Sequence, residues 1–251
     1  MGSDSKYNNE KEMNVVGHLS ELRNRLIVTA LFFIIFFIVG FIFVKDIYYF
    51  FESDISFQLN ITSPADTIWI YFTIAGLVAI VGTLPVLSIQ LWLFIKPALT
   101  PGERKSSLPY IPAIFLLFLG GLVFGYFMFI NLILPFLLGL NEGMFNELFT
   151  VDRYFGFLFK VTLPFALLFE LPIVIMFLTS LGIVTPDFLK RTRKYAFFIL
   201  LIVGALVTPP DVVLQLVVAV PLFLLYEISI HLSGIVYRRK QRRHKEFMNT
   251  D

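Results

Sequence analysis

Residues Leu26 to Val44, LIVTALFFIIFFIVGFIFV, run for 19 positions without a charged side chain, and they decide the class of the molecule. A helix rises about 1.5 Å per residue, so roughly 20 apolar residues cross a hydrocarbon core of about 30 Å. Five more runs follow this pattern: Thr67 to Ile95, Leu108 to Leu134, Tyr154 to Ser180, Tyr195 to Val207 and Val212 to Tyr237. None alternates with period two, which excludes a transmembrane barrel. The composition agrees. Of 251 residues 57% are hydrophobic, 17% aromatic and 15% charged, with 30 Phe and a mean hydropathy of +0.81. A soluble domain is roughly 45–50% apolar and about 25% charged, and one core of this size cannot hide the excess. Cys is absent, which removes disulfides, thiolate nucleophiles and thiolate metal sites. The expected fold is therefore all-α and integral to the membrane, a single polytopic domain over residues 1–251.

The charges orient it. The stretch before Leu26 is too long and acidic for a secretory n-region, and no small-residue cleavage site follows it, so it is expected to stay. Lys and Arg number 4 before the first run, then 1, 3, 1, 4 and 0 in the successive loops, and 6 in the tail 238–251. Segments on the side of the N-terminus hold 17 of the 20, the other side only Lys45 and Arg153. The positive-inside bias predicts six spans with both termini cytoplasmic. The fifth run has 13 residues between Lys194 and Thr208, on the order of 20 Å as a helix. Such a short hairpin is either shielded by its own bundle or thins the bilayer.

Pro85, Pro112, Pro164, Pro172 and Pro221 lie inside runs, where each removes a helix hydrogen bond. Pro164 and Pro172 bracket Glu170, so the fourth helix is expected to bend and make the bundle concave. The outer loops hold Tyr48, Tyr49, Phe50, Phe51, Phe145, Leu148 and Phe149, which read as interfacial, partly helical caps.

Catalytic signatures are missing: no H-E-x-x-H, G-x-S-x-G or phosphate-loop motif occurs, and His18, His231 and His244 have no ligand spacing. An enzyme, a cofactor and a metal are not expected, nor is nucleic-acid binding. The ionisable groups within the runs are Lys160, Glu170, Glu227 and His231. A carboxylate in lipid costs several kcal/mol, so it faces a cavity, pairs or is protonated. Glu227 sits 11 residues before Arg238, within reach of headgroups, and the Lys160 stem can snorkel outward. Glu170 has no such escape and is the stronger candidate. Gln215 is either a packing residue or a hydrogen-bonding contact for another helix.

Two cytoplasmic segments complete the candidates: His18-Leu19-Ser20-Glu21-Leu22-Arg23 and Phe94-Ile95-Lys96-Pro97-Ala98-Leu99-Thr100-Pro101-Gly102-Glu103-Arg104-Lys105. Each also has a plain structural reading. Glu21 and Arg25 are four apart, an ordinary helix-surface ion pair. Thr100, Pro101 and Glu103 form a capping box, a device repeated at Ser63-Pro64-Ala65-Asp66 and Thr208-Pro209-Pro210-Asp211.

These segments, with Phe169-Glu170-Leu171-Pro172 in the fourth run and Thr208-Pro209-Pro210-Asp211 joining the last two, make the chain resemble the TatC family, core subunits of the twin-arginine protein translocase. The likeness spans Gly17 to Tyr237. It implies a component of the bacterial plasma membrane that binds the twin-arginine signal peptides of folded precursors and recruits single-span TatA or TatB subunits. Export would be driven by the proton-motive force, with further copies of the chain and membrane lipids as partners. Glu21 and Glu103 match the positions that hold the two arginines, with Leu19, Arg23 and Phe94 framing them. Glu170 would face the peptide's apolar helix, Gln215 a docking helix, and Pro209 and Asp211 the outer turn. Lys160 matches no family role. The alternative is a proton-coupled secondary transporter using Glu170 and Glu227, although no duplicated halves are visible.

Overall fold

A backbone in hydrocarbon must bond its own amides, and this chain does so almost wholly as helix. The computed structural model describes the backbone of residues 3–98, 104, 107–141, 148–207 and 211–248, with side chains from 19 to 242 within those ranges, 98 and 213 excepted. The helices are α1 (Ser3–Ile42), α2 (Val44–Glu52), α3 (Pro64–Ile95), α4 (Tyr110–Met128), α5 (Leu134–Gly139), α6 (Val151–Leu168), α7 (Leu171–Leu181), α8 (Pro186–Val207) and α9 (Val212–Met248). Among the described residues the only β pairing is one bridge, Asn60 with Thr150. Five helical stretches are long and apolar enough to cross a membrane: Leu19–Ile42, Pro64–Ile95, Tyr110–Gly139, Val151–Leu181 and Leu214–Arg242. α8 falls short of that measure because Lys190, Arg191, Arg193 and Lys194 occupy its first half.

The prolines act unequally. Pro85, Pro164 and Pro221 stay within continuous helices. Pro172 breaks one: it lacks the N–H that would bond Leu168, and its ring crowds that carbonyl, so α6 ends there and α7 begins at Leu171. Between them Glu170 N–H turns back to Leu167 O at 3.1 Å. The expected bend in the fourth span is thus a break centred on Glu170. Phe129–Ile133 is a π segment, with the Leu134 N–H bonded to Phe129 O. It comes just before Pro135, whose ring would otherwise collide with the Asn131 carbonyl, and lets the helix continue to Gly139.

Small residues set the tightest crossings. A Cβ on Gly121 would lie 2.6 Å from Ala166 Cα and one on Gly125 2.8 Å from Thr162 Cα, so α4 and α6 touch backbone to backbone. Gly121 and Gly125, four apart, form the small-xxx-small device of membrane helices. Gly40 meets α3 in the same way, 3.0 Å from Ala75 Cα. Around the α4–α6 contact sits the core, where Phe118, Phe129, Phe155, Leu158 and Phe165 are buried with Ile74 of α3 and Val218 and Leu222 of α9. α1 is peripheral: 6% of its most apolar window is buried, against 39% for the fourth span.

At the end where α1 leaves the bundle, the aromatic caps pack inward. The Phe51 ring meets Tyr126 and Phe155 edge-on, with centroids 5.3 and 5.9 Å apart, and Tyr48 lies 5.6 Å from Phe155. Burial and a hydrogen bond to Glu52 push the Tyr48 phenol up to about 12, so it remains a neutral donor. The loops on either side of the α3–α4 hairpin clasp through Asn60 N–H to Phe149 O at 2.8 Å and Val151 N–H to Asn60 O at 3.0 Å. The expectation of interfacial caps was incomplete, since α6 offers these rings a drier partner than the headgroups. Phe145 lies outside the described residues.

Replacing Gly121 with Leu forces the α4 and α6 backbones apart. The expected loss is about 1–3 kcal/mol, read as a lower unfolding temperature in detergent, whereas the same change at Gly76, which has open space around it, leaves stability nearly unchanged.

Candidate functional site

The first candidate cluster forms where α1 enters and α3 ends. The Arg25 guanidinium donates to Glu21 one turn back, and through Nη1 to Gln90 Oε1 on α3 at 3.4 Å. The two helices run antiparallel, so one turn further toward the same end brings Glu21 on α1 level with Phe94 on α3. The expected Glu21–Arg25 pair is therefore present, and Gln90 turns it into a cross-helix link. Gln90 had a sequence signal, a lone amide near the end of an apolar run. The Arg25 side chain is 18% exposed and that of Glu21 36%, so the carboxylate faces outward from a partly buried partner. A carboxylate has about four lone-pair positions, and one arginine does not exhaust them. Leu19 and Arg23 are exposed beside it, and Phe94 is half-buried.

The segment after α3 folds back on itself. Lys96–Ala98 is a 3₁₀ turn. Arg104 Nε donates to Lys96 O at 3.0 Å, and Trp92 Nε1 donates to Ser107 Oγ at 2.9 Å. Ser107 Oγ in turn donates to Arg104 O at 3.2 Å, while the Lys96 ammonium sits 5.4 Å from the Trp92 ring. Glu103 lies outside the described residues, as do Thr100 and Pro101 of its capping box. Its neighbour Arg104 is nevertheless anchored next to the end of α3.

Glu170 stands apart, at the break between α6 and α7. Both carboxyl oxygens are buried, and among the described residues neither has a hydrogen-bond partner. Such an uncompensated group in a span is costly, and nothing in the packing explains it as structural glue. Gln215 is elsewhere again, its Nε2 donating to Leu201 O of α8 at 3.3 Å, which ties the last hairpin together. At the head of α9, Asp211 Oδ1 accepts the Leu214 N–H at 2.8 Å. A capping box from Thr208 would have started this helix earlier, but α9 begins at Val212 with Asp211 as its N-cap. Thr208, Pro209 and Pro210 lie outside the described residues. The box at Ser63 forms as expected, with Ser63 Oγ accepting Ala65 N–H and Asp66 Oδ2 accepting Ser63 N–H at 2.8 Å.

Glu227 is not left to the headgroups. Arg193 of α8 holds it in bidentate fashion, Nε to Oε1 at 2.8 Å and Nη2 to Oε2 at 2.9 Å. The sequence alone let Glu227 reach the inner headgroups, but the hairpin geometry brings Arg193 of α8 to it instead. Lys160 is exposed on α6.

The sequence profile described as Sec-independent protein translocase protein (TatC) matches residues 17–221. The chain belongs to the TatC family. The chain is 46% identical to the Sec-independent protein translocase protein TatCd of Bacillus subtilis over 93% of its own length and 96% of that protein. It is 44% identical to the TatC of Halalkalibacterium halodurans, covering 94% and 95%. Its fold matches a crystal structure titled twin arginine translocase receptor TatC with a TM-score of 0.76, at 36% identity over 87% of this chain and 99% of that one. It is a multi-pass membrane protein of a protein-transport family. The transporter alternative finds no support, because both oxygens of Glu227, one of its two relay groups, are taken up by Arg193.

Two substitutions separate these roles by stability. Asp211→Ala removes the α9 cap at about 1 kcal/mol, and Arg193→Ala leaves Glu227 single at a similar cost for a partly exposed pair. Unfolding temperatures of the purified variants check both, and the double variant is expected to be nearly additive.

Proposed function

We propose that the chain is the receptor subunit of a twin-arginine translocase in the bacterial plasma membrane, with six spans and both termini in the cytoplasm. α8 and α9 form the final hairpin of a single membrane domain; the expected shortness holds for the apolar part of α8, whereas α9 has a 29-residue stretch long enough to span. The observation that carries this reading is the level arrangement of Glu21 and Phe94 at the α1–α3 end, within a family whose crystal structure is titled a twin-arginine translocase receptor.

The chemistry suits the ligand. Arginine presents a rigid planar fork of donors that a carboxylate accepts at two points, whereas lysine is a point charge. Glu21 and Glu103 are the acceptors for the two arginines, Phe94 offers a ring for stacking, and Leu19 with Arg23 frames the motif. The side that binds is otherwise basic, with 17 cations and 8 acids in its segments. The bulk field therefore repels a cationic peptide, and selectivity rests on placed carboxylates. Arg25 has a part too, since it fixes the Glu21 rotamer through a bond on the side away from the ligand.

Glu170 receives the apolar helix of the signal peptide in the concave middle of the bundle. Gln215 and the turn at Pro209 and Asp211 face a single-span TatA- or TatB-type subunit, and further copies of the chain complete the complex. Movement of the cargo draws on the proton-motive force.

Binding of a labelled twin-Arg signal peptide to the chain in nanodiscs tests the recognition step. Glu103→Ala and Glu21→Ala each weaken it by roughly tenfold or more, the worth of one charge-assisted hydrogen bond, and a twin-Lys peptide binds the native chain as weakly. Equal binding of the two peptides would remove the receptor reading. Glu170→Ala is expected to spare this first step and instead reduce crosslinks from the apolar part of the peptide.

A further inference from the structure

Arg153 and Lys160 are the cations of α6, and seven residues is two helical turns, so both lie on one face. That face is the exposed one: Arg153, Gly156, Lys160 and Leu167 are open, while Phe155, Leu158, Val161 and Phe165 on the opposite side are buried. Between the two cations Gly156 leaves a gap, with no atom within 4 Å of where a Cβ would stand. Arg153 also forms one wall of a cleft of about 490 Å³ whose other walls include Phe129, Leu134, Leu137, Leu138 and Phe157. This cleft borders the π segment, and its lining is apolar apart from Arg153, Asn141, Thr150 and the Tyr154 hydroxyl.

Lys160 lies nine residues into α6, about 14 Å from Val151 along the axis. Side chains on a helix lean toward its N-terminus, and here that is the end bearing the loop after α5. The ammonium is thus directed up the stripe toward Arg153. No hydrogen bond or ion pair involves Lys160 among the described residues. Arg153 has only Asp152, 3.7 Å away, with a side chain 89% exposed. Two cations in an apolar setting, beside a cleft wide enough for acyl chains, call for an anion that carries its own hydrocarbon.

We infer that the Arg153–Lys160 stripe and the adjoining cleft bind an anionic phospholipid from the leaflet opposite the chain termini. The phosphate sits between the two side chains over Gly156, and an acyl chain enters the cleft between Phe157 and Leu138. Phospholipid is favoured over a partner helix because the cleft and the charges are contiguous on the lipid-facing surface and need no second protein to close them. The inference stands independently of signal-peptide binding.

The test uses the full chain in phosphatidylcholine nanodiscs holding a trace of phosphatidylglycerol or phosphatidylcholine, each with the same photoactivatable acyl chain. Labelled peptides are mapped by mass spectrometry. Phosphatidylglycerol is expected to label the segments holding residues 129–138 and 157 on the order of ten times more than phosphatidylcholine. The Arg153→Gln/Lys160→Gln variant should fall to the phosphatidylcholine level, Arg153→Lys/Lys160→Arg should retain labelling, and Leu138→Trp should reduce it by filling the cleft. Equal labelling of the native chain by the two lipids overturns the proposal without any variant. So does undiminished labelling of the Gln variant, including the case in which that variant loses crosslinks to a single-span protein instead.

Discussion

Hydrocarbon offers no water to a broken helix, so each interruption of the backbone ladder must be covered by protein, and this constraint governs where the chain can bend. The described spans contain two departures, the break at Phe169–Glu170 and the π segment at Phe129–Ile133. Both adjoin the α4–α6 crossing, where Gly121 and Gly125 bring the helices to backbone contact and buried aromatic side chains surround them. The packing supplies the cover, and the prolines supply the reason for the departures. Moving either proline to α1, whose face is open to lipid, would leave a carbonyl with nothing to accept from.

This arrangement places the odd carboxylate. Glu170 is the residue at which α6 stops and α7 starts, so its side chain projects from the one level of the fourth span where the helix is broken. Pro172 thus interrupts the hydrogen-bond ladder at Glu170, while the backbone there keeps right-handed helical angles and its carbonyl still accepts the Val174 N–H. The same level is near Phe118 of α4, so a change of angle between α6 and α7 would be transmitted directly to the crossing. The bound pairs at the periphery are of a different kind. Arg193 with Glu227, and Lys240 with Ser180 O at 2.7 Å, fasten α8 and α9 to their neighbours, which matters most for α8, whose first half is basic and whose apolar part is short.

Much of the fold was legible because lipid simplifies the reading: hydropathy marks helices, and Ser63 with Asp66 marks where α3 begins. Local devices were also readable where they needed only neighbours, as for Glu21 and Arg25. What escaped depended on which helices meet. Gln90 gains its role only when α1 comes alongside, and Glu227, placed by the sequence within reach of the headgroups, meets a partner 34 residues earlier that linear spacing does not reveal. The inward packing of Phe51 required knowing that Phe155 starts a helix beneath it. At the last turn the ambiguity was local: Asp211 can cap as acceptor at N-cap or close a box at N3, and the structure shows it accepting the Leu214 N–H as the cap of α9.

The positions of the carboxylates imply an order of events. Glu21 is partly exposed at the end of the bundle and already shares a proton donor in Arg25, so it can exchange partners at low cost in desolvation. The carboxyl oxygens of Glu170 are covered by the protein itself and cannot meet a charged group until the packing around the α6–α7 break opens. Under the proposed receptor function, a ligand with a cationic head and an apolar helix behind it would find the accessible acid first, by electrostatics, and reach the inaccessible one only as its apolar part enters the membrane. Specificity for arginine belongs to the first contact. Commitment would belong to the second, where an incoming helix would have to repack the break that holds Glu170.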